Sequence, residues 1–156
     1  MADSANATPA CNLVAIDVAR YGNAVLVETT NGKRHRFKMA NNAADFSRLV
    51  GFLGGLPGVC RVGLEPTGDY HRPLAHRLLS AGFEVVSINS VALSRYREAI
   101  FNSWDKNDPK DVGVILEMLR RGDVQRYVDP MVVGTHDLQA RHRREHRQHS
   151  PHGQRR

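Results

Sequence analysis

The chain has 156 residues, 41% apolar and 24% charged, enough for one domain with a sizeable core. No apolar run is long enough to cross a bilayer, and Met1-Ala-Asp-Ser-Ala-Asn lacks a secretory leader's basic start, so membrane insertion and export are not expected. The net charge of +6 suggests nucleic acid, but six arginines against Asp137 and Glu145 put +4 of it between His136 and Arg156. Two cysteines, Cys11 and Cys60, stand without a CxxC neighbour. That argues against a disulfide framework or zinc finger and for a reducing, cytoplasmic setting.

Residues 1–11 are small and polar and read as a disordered start. An apolar strand run, Leu13 to Val18, precedes two β-rich runs at about Asn23–Thr29 and Lys33–Met39. Asn31-Gly32 joins them, a strong signal for a tight two-residue hairpin because both turn positions need positive φ. The first three strands are therefore expected to form an antiparallel meander. Phe46, Leu49, Val50 and Leu53 recur at helical spacing, with Asn42 as N-cap, Asp45 three residues on, and Gly54-Gly55 as the stop. A strand over Cys60–Glu65 follows, then a helix carrying Leu74, Leu78 and Leu79 that stops at Gly82. Phe83–Ile88 reads as a short buried strand, Ser90 as the cap of a helix to about Ala99, and Pro109–Arg121 as the last helix.

Strands alternating with helices need parallel crossovers. An antiparallel trio followed by parallel strands, flanked by helices, is the mixed α/β layout of the ribonuclease H fold. Past residue 130 the periodicity fails, and 141–156 hold Arg, His and Gln with no apolar residue. A disordered basic tail over 131–156 is the expectation.

Four carboxylates stand where structure makes them informative. Asp17 lies in the first strand run, on the side of Leu13 and Ala15; its bland role is to cap the turn toward Tyr21-Gly22. Glu65 ends what should be a central strand, where open α/β sheets gather ligands. Its bland role is to hold the Thr67-Gly68 turn or to pair with Arg72. Asp108 before Pro109 is a natural N-cap, and Asp111 sits where the helix dipole favours an acid. Their spacing also puts both on one face, which continues to Ile115 and Met118. A helix start aimed at a core suits a metal site. Hard oxygen donors suit magnesium, and four acids around two such ions commonly cut and rejoin phosphodiesters. Lys106 is either a phosphate contact or a solvated loop lysine. His71 and His76 are expected on a helix surface and His35 exposed on the hairpin; five more histidines lie in the tail. No Gly-rich phosphate loop or nucleophile elbow occurs, so the chemistry rests on carboxylates or is missing.

Several blocks together resemble one family. They are Ile16-Asp17-Val18-Ala19, then Leu64-Glu65-Pro66-Thr67-Gly68 with Tyr70, His71 and Leu74, then Gly82-Phe-Glu-Val-Val, Asn89, Asn102-Ser103, Lys106-Asn-Asp108 and Lys110-Asp111. Over about residues 12–130 the chain resembles the N-terminal domain of the DEDD transposases of bacterial insertion sequences, the bridge-RNA-guided recombinases, which have a RuvC-like ribonuclease H fold. The resemblance implies that Asp17, Glu65, Asp108 and Asp111 bind magnesium, with two ions expected. It implies that Thr67, Gly68 and Tyr70 shape the turn beside the site. It also places Thr67 and Tyr70, with Lys106, near nucleic acid. Asp105 aligns with neither member of the final acidic pair.

The implied partners are DNA of the element ends and the target, a bridge-type guide RNA, and further copies of the full-length protein. Family members are markedly longer, continuing into a coiled-coil segment and a second domain with a nucleophilic serine. The pattern here departs near Val132 to His136, so a truncated or frameshifted copy is expected. The expected function is magnesium-dependent DNA strand cleavage and transfer in transposition, incomplete in this chain. The alternatives are a non-catalytic nucleic-acid-binding remnant or regulator of a full-length transposase, and an unrelated α/β domain whose acids are caps and surface pairs.

Overall fold

Alternating and continuous apolar runs drive the first half of the chain into a sheet. In this computed structural model residues 10–66, 68–101 and 108–129 are described, with backbone alone at 108–110. The strands are β1 (Cys11–Asp17), β2 (Asn23–Glu28), β3 (Arg34–Met39), β4 (Val59–Leu64), β5 (Glu84–Ser87) and β6 (Gln125–Arg126). The helices are α1 (Ala43–Gly54), α2 (Arg72–Ser80), α3 (Ser90–Phe101) and α4 (Asp108–Arg121). In space the strands run β3-β2-β1-β4-β5-β6. β1, β2 and β3 pair antiparallel, while β4 joins β1 and β5 joins β4 in parallel. This is the ribonuclease H-like arrangement the order of elements predicts. β6, two exposed polar residues antiparallel to β5, has no apolar alternation to announce it.

Helices cover both faces of the sheet. On one face α1 and α2 bring Phe46, Leu49, Leu53, Leu74 and Leu78 against Val14, Ile16, Val25, Val62 and Leu64. On the other, Leu93 of α3 and Val112, Ile115, Leu116 and Leu119 of α4 pack on Ala15, Leu26 and Val86. Each fully buried Leu or Ile contributes about 1.5–3 kcal/mol. Strands buried on both faces read as near-continuous apolar runs, as Val14-Ala-Ile does.

Local signals act largely as expected. Asn42 caps α1, its Oδ1 accepting from the Asp45 N–H at 2.8 Å, while Asp45 Oδ2 accepts from the Ala40 N–H at 2.7 Å. The hairpin differs from the two-residue turn. Thr29 N–H donates to the Lys33 carbonyl at 2.8 Å and Gly32 N–H to the Thr29 carbonyl at 2.9 Å, a three-residue loop closed by Gly32 at φ +84°. Asn89 rather than Ser90 caps α3, since its Oδ1 accepts from the N–H groups of Val91 and Ala92 at 2.9 and 3.1 Å. An amide one residue earlier reaches two orphan donors of the first turn.

One glycine sets the distance between α4 and the sheet. A Cβ on Gly63 of β4 would lie 2.7 Å from Leu119 Cδ2, closer than packed carbons approach. Gly63→Ala should therefore force α4 outward and cost about 1–3 kcal/mol. Urea unfolding should show a lower midpoint at unchanged slope.

Candidate carboxylate site at the strand ends

The register places two of the four acids side by side. Ile16 is opposite Leu64 across the parallel β1–β4 pair. The next residues, Asp17 and Glu65, thus stand at the carboxyl ends of strands about 4.8 Å apart. Pleating puts Asp17 on the side of Leu13 and Ala15, which pack toward α3 and α4. It puts Glu65 on the side of Gly63, which meets Leu119. Both carboxylates are enclosed, Asp17 at 5% exposure and Glu65 at 8%.

α4 carries Asp111 toward the same end. Near the helix C-terminus Arg120 pairs with Glu28, the residue opposite Leu13 at the start of β1. Asp111 lies nine residues before Arg120, about 13 Å back along the helix. Leu13 to Asp17 spans about the same distance along β1. The helix start is therefore level with the strand ends. Asp111 is fully buried, as its face with Ile115 and Met118 requires.

Its partner was not legible among the acids. Asp111 Oδ1 accepts from Arg97 Nε of α3 at 2.7 Å, and Arg97 is itself 7% exposed. Asp111 Oδ2 is buried with no hydrogen-bond partner among the described residues. The only signal for Arg97 is that it follows Leu93 by four residues, on the inward face of α3.

Among the described residues, no three His, Cys, Asp or Glu side chains are close enough together to grip a metal ion. Asp17 and Glu65 are neighbours, while Asp111 is held by Arg97. Asp108 opens α4, but its side chain, like Thr67 and Lys106, lies outside the described residues. Gly68 takes φ +52° in the turn after Glu65, and Tyr70 beyond it is exposed. Arg72, an alternative partner for Glu65, pairs with Asp129 at 3.2 Å.

His71 is buried rather than on a helix surface, and its ring meets Tyr127 edge-on at 5.7 Å. β6 brings Tyr127 there, which no local pattern announces. Burial pushes the Tyr127 phenol above its ordinary pKa. A cleft of about 560 Å³ opens beside this pair, between the turn after Glu65 and the residues around β6. His76 is exposed as expected, whereas His35 is half-buried against Phe52, ring centroids 5.3 Å apart.

A family model described as "Transposase", that of the DEDD transposases of the IS110 type, matches residues 14–148. The chain belongs to this DEDD transposase family. The match spans both strand-end acids and the start of α4. No curated relative matches the sequence. Among solved structures, T. thermophilus RuvC in complex with Holliday junction substrate is 12% identical at a TM-score of 0.47, covering 75% of this chain and 99% of that one. A second Thermus thermophilus RuvC structure is 11% identical at 0.48, covering 74% and 99%.

Removing one member of a buried ion pair strands the other charge, whereas replacing both by apolar groups is often neutral. Arg97→Met should cost about 3–5 kcal/mol in chelator-treated protein, and adding Asp111→Leu should recover most of it. A double-mutant cycle from chemical denaturation measures the coupling directly.

Proposed function

We propose that this chain supplies the magnesium-dependent DNA strand-cleaving and strand-transfer domain of an insertion-sequence transposase. The observation that carries this reading is the burial of Asp17 and Glu65 at neighbouring ends of parallel strands, level with the acidic start of α4. Magnesium is commonly held by one or two carboxylates plus substrate phosphate, and Asp17 and Glu65 would supply the two carboxylates. Asp17 and Glu65 would hold the first ion. Asp108 and Asp111 would complete a site for two, with the buried Asp111 Oδ2 as the oxygen that Arg97 leaves open. The chemistry such an ion would supply there is stabilisation of charge on a scissile phosphate and activation of an attacking hydroxyl. The protein's part is to fix the carboxylates on rigid strand ends and to exclude water behind them with the α4 face. Arg97 orients Asp111 through Oδ1.

Residues 12–130 act as the catalytic-type domain in this reading, with 131–156 as a basic tail adding salt-sensitive attraction to phosphate. Thr67, Tyr70 and Lys106 meet nucleic acid beside the site. DNA is the substrate, with a guide RNA and further copies of the chain as partners, in the cytoplasm. Among the described residues no helix is long and apolar enough to cross a membrane.

One observation favours a second reading. Arg97 already neutralises Asp111, so the fold balances that acid without a cation. The chain would then bind nucleic acid without cleaving it, as a remnant or regulator of a complete transposase.

Two measurements separate these readings. A cation that binds only the native state must stabilise it, by about 2.7 kcal/mol at a hundredfold excess over Kd. Magnesium should therefore raise the thermal midpoint of the wild type and leave Asp17→Ala/Glu65→Ala unchanged. On branched DNA the wild type should give magnesium-dependent products that the double variant does not. Binding without products, and no thermal response, would establish the second reading instead.

A further inference from the structure

The face that carries Asp17 continues outward to a row of cations on the sheet edge. Asp17 is paired with Ala24, and Ala24 with Lys38 of β3. Lys38 thus lies level with Asp17 on the same face, two strand spacings or about 10 Å away. Arg36 and Arg34 follow on that face at alternate positions, about 7 Å apart, and all three are exposed. Such spacing is of the order that separates successive phosphates of an extended single strand.

The row borders a groove of about 530 Å³ between β3 and α4, lined by Arg34, Arg36 and Arg121 with Ile100 and Phe101 from the end of α3. Ile100 is 43% exposed and Phe101 42%, two consecutive large apolar side chains open to solvent beside the cations. Two acids temper the charge. Glu28 pairs with Arg34 at 3.5 Å and also with Arg120, and Glu117 pairs with Arg121 at 3.1 Å. Among the described residues beside the groove, Lys38, Arg36, Arg34, Arg120 and Arg121 outnumber Glu28 and Glu117.

We propose that this groove is a track for one strand of DNA, its phosphates on Lys38, Arg36 and Arg34 and a base against Phe101, leading to the carboxylate end of the sheet. The proposal rests on the transposase reading and adds the path by which substrate reaches the acids. A single strand fits better than a duplex, because only unpaired bases offer their faces to an aromatic ring. Charged edge strands also deter sheet-to-sheet pairing. That role requires neither a shared face nor apolar neighbours.

The test is fluorescence anisotropy of the full chain with a thymidine oligonucleotide, across about 50–200 mM salt. Arg36→Gln/Lys38→Gln should weaken binding and lower the slope of log affinity against log salt by about 1.4, two contacts at roughly 0.7 each. Arg36→Lys should keep the wild-type slope. Phe101→Ala should weaken binding about tenfold while leaving the slope alone. Thermal melts of the same variants check that each is folded before its slope is read.

An unaltered slope in the double variant overturns the track. So does a wild type that does not bind the strand, or a slope that falls only when Arg141, Arg143 and Arg144 of the tail become Gln. Competition by polyglutamate as strong as by DNA reassigns the face to an acidic protein. Tighter binding of a uridine oligonucleotide, lost in the same variant, reassigns it to RNA. A slope change without any magnesium response removes the nuclease reading and keeps the track; the converse removes the track alone.

Discussion

Enclosed negative charge at one end of the sheet is the constraint on which the molecule turns. Asp17, Glu65 and Asp111 are all less than a tenth exposed, and carboxylates out of water are costly unless compensated. The chain accepts that cost at the end where parallel strands and a helix start converge, the usual place for ligands in open α/β sheets. One part of the compensation is visible. Arg97 of α3 meets Asp111 of α4, so a single ion pair both settles a charge and fixes two helices together.

α4 links packing to the site. Its apolar face covers β1 and β2, its close approach at Gly63 sets its height above the sheet, and Arg120 fastens its far end to Glu28. A helix held at both ends presents its first turn at a fixed level. Such rigid support holds the carboxylates at a set position, which matters because small displacements from a working geometry are expensive. The same contacts that bury apolar surface therefore decide where the acids stand.

The charge of the chain divides by location. The tail holds most of the net positive charge, yet the organised cations are on β3, where the strand period aligns Lys38, Arg36 and Arg34 on one face. Net charge measures attraction to phosphate in general. A row fixed to the sheet and aimed at the strand-end acids can also give direction, which a pI cannot express.

The sequence by itself determined the elements and their order. Apolar period, Asn42, Asn31-Gly32 and the glycine stops are local signals, and among the described residues they marked five of six strands and all four helices. It also singled out Asp17 within an apolar run, Glu65 at the end of another, and Asp108 and Asp111 three residues apart at a helix start, all of which are conspicuous without any fold. Tertiary structure alone decided what those acids touch. The Arg97–Asp111 pair, the meeting of His71 with Tyr127 through β6, and the shared face of Asp17 and Lys38 each depend on strand register or helix crossing. Those are set by the summed packing of distant segments. A short-range pattern carries no record of it.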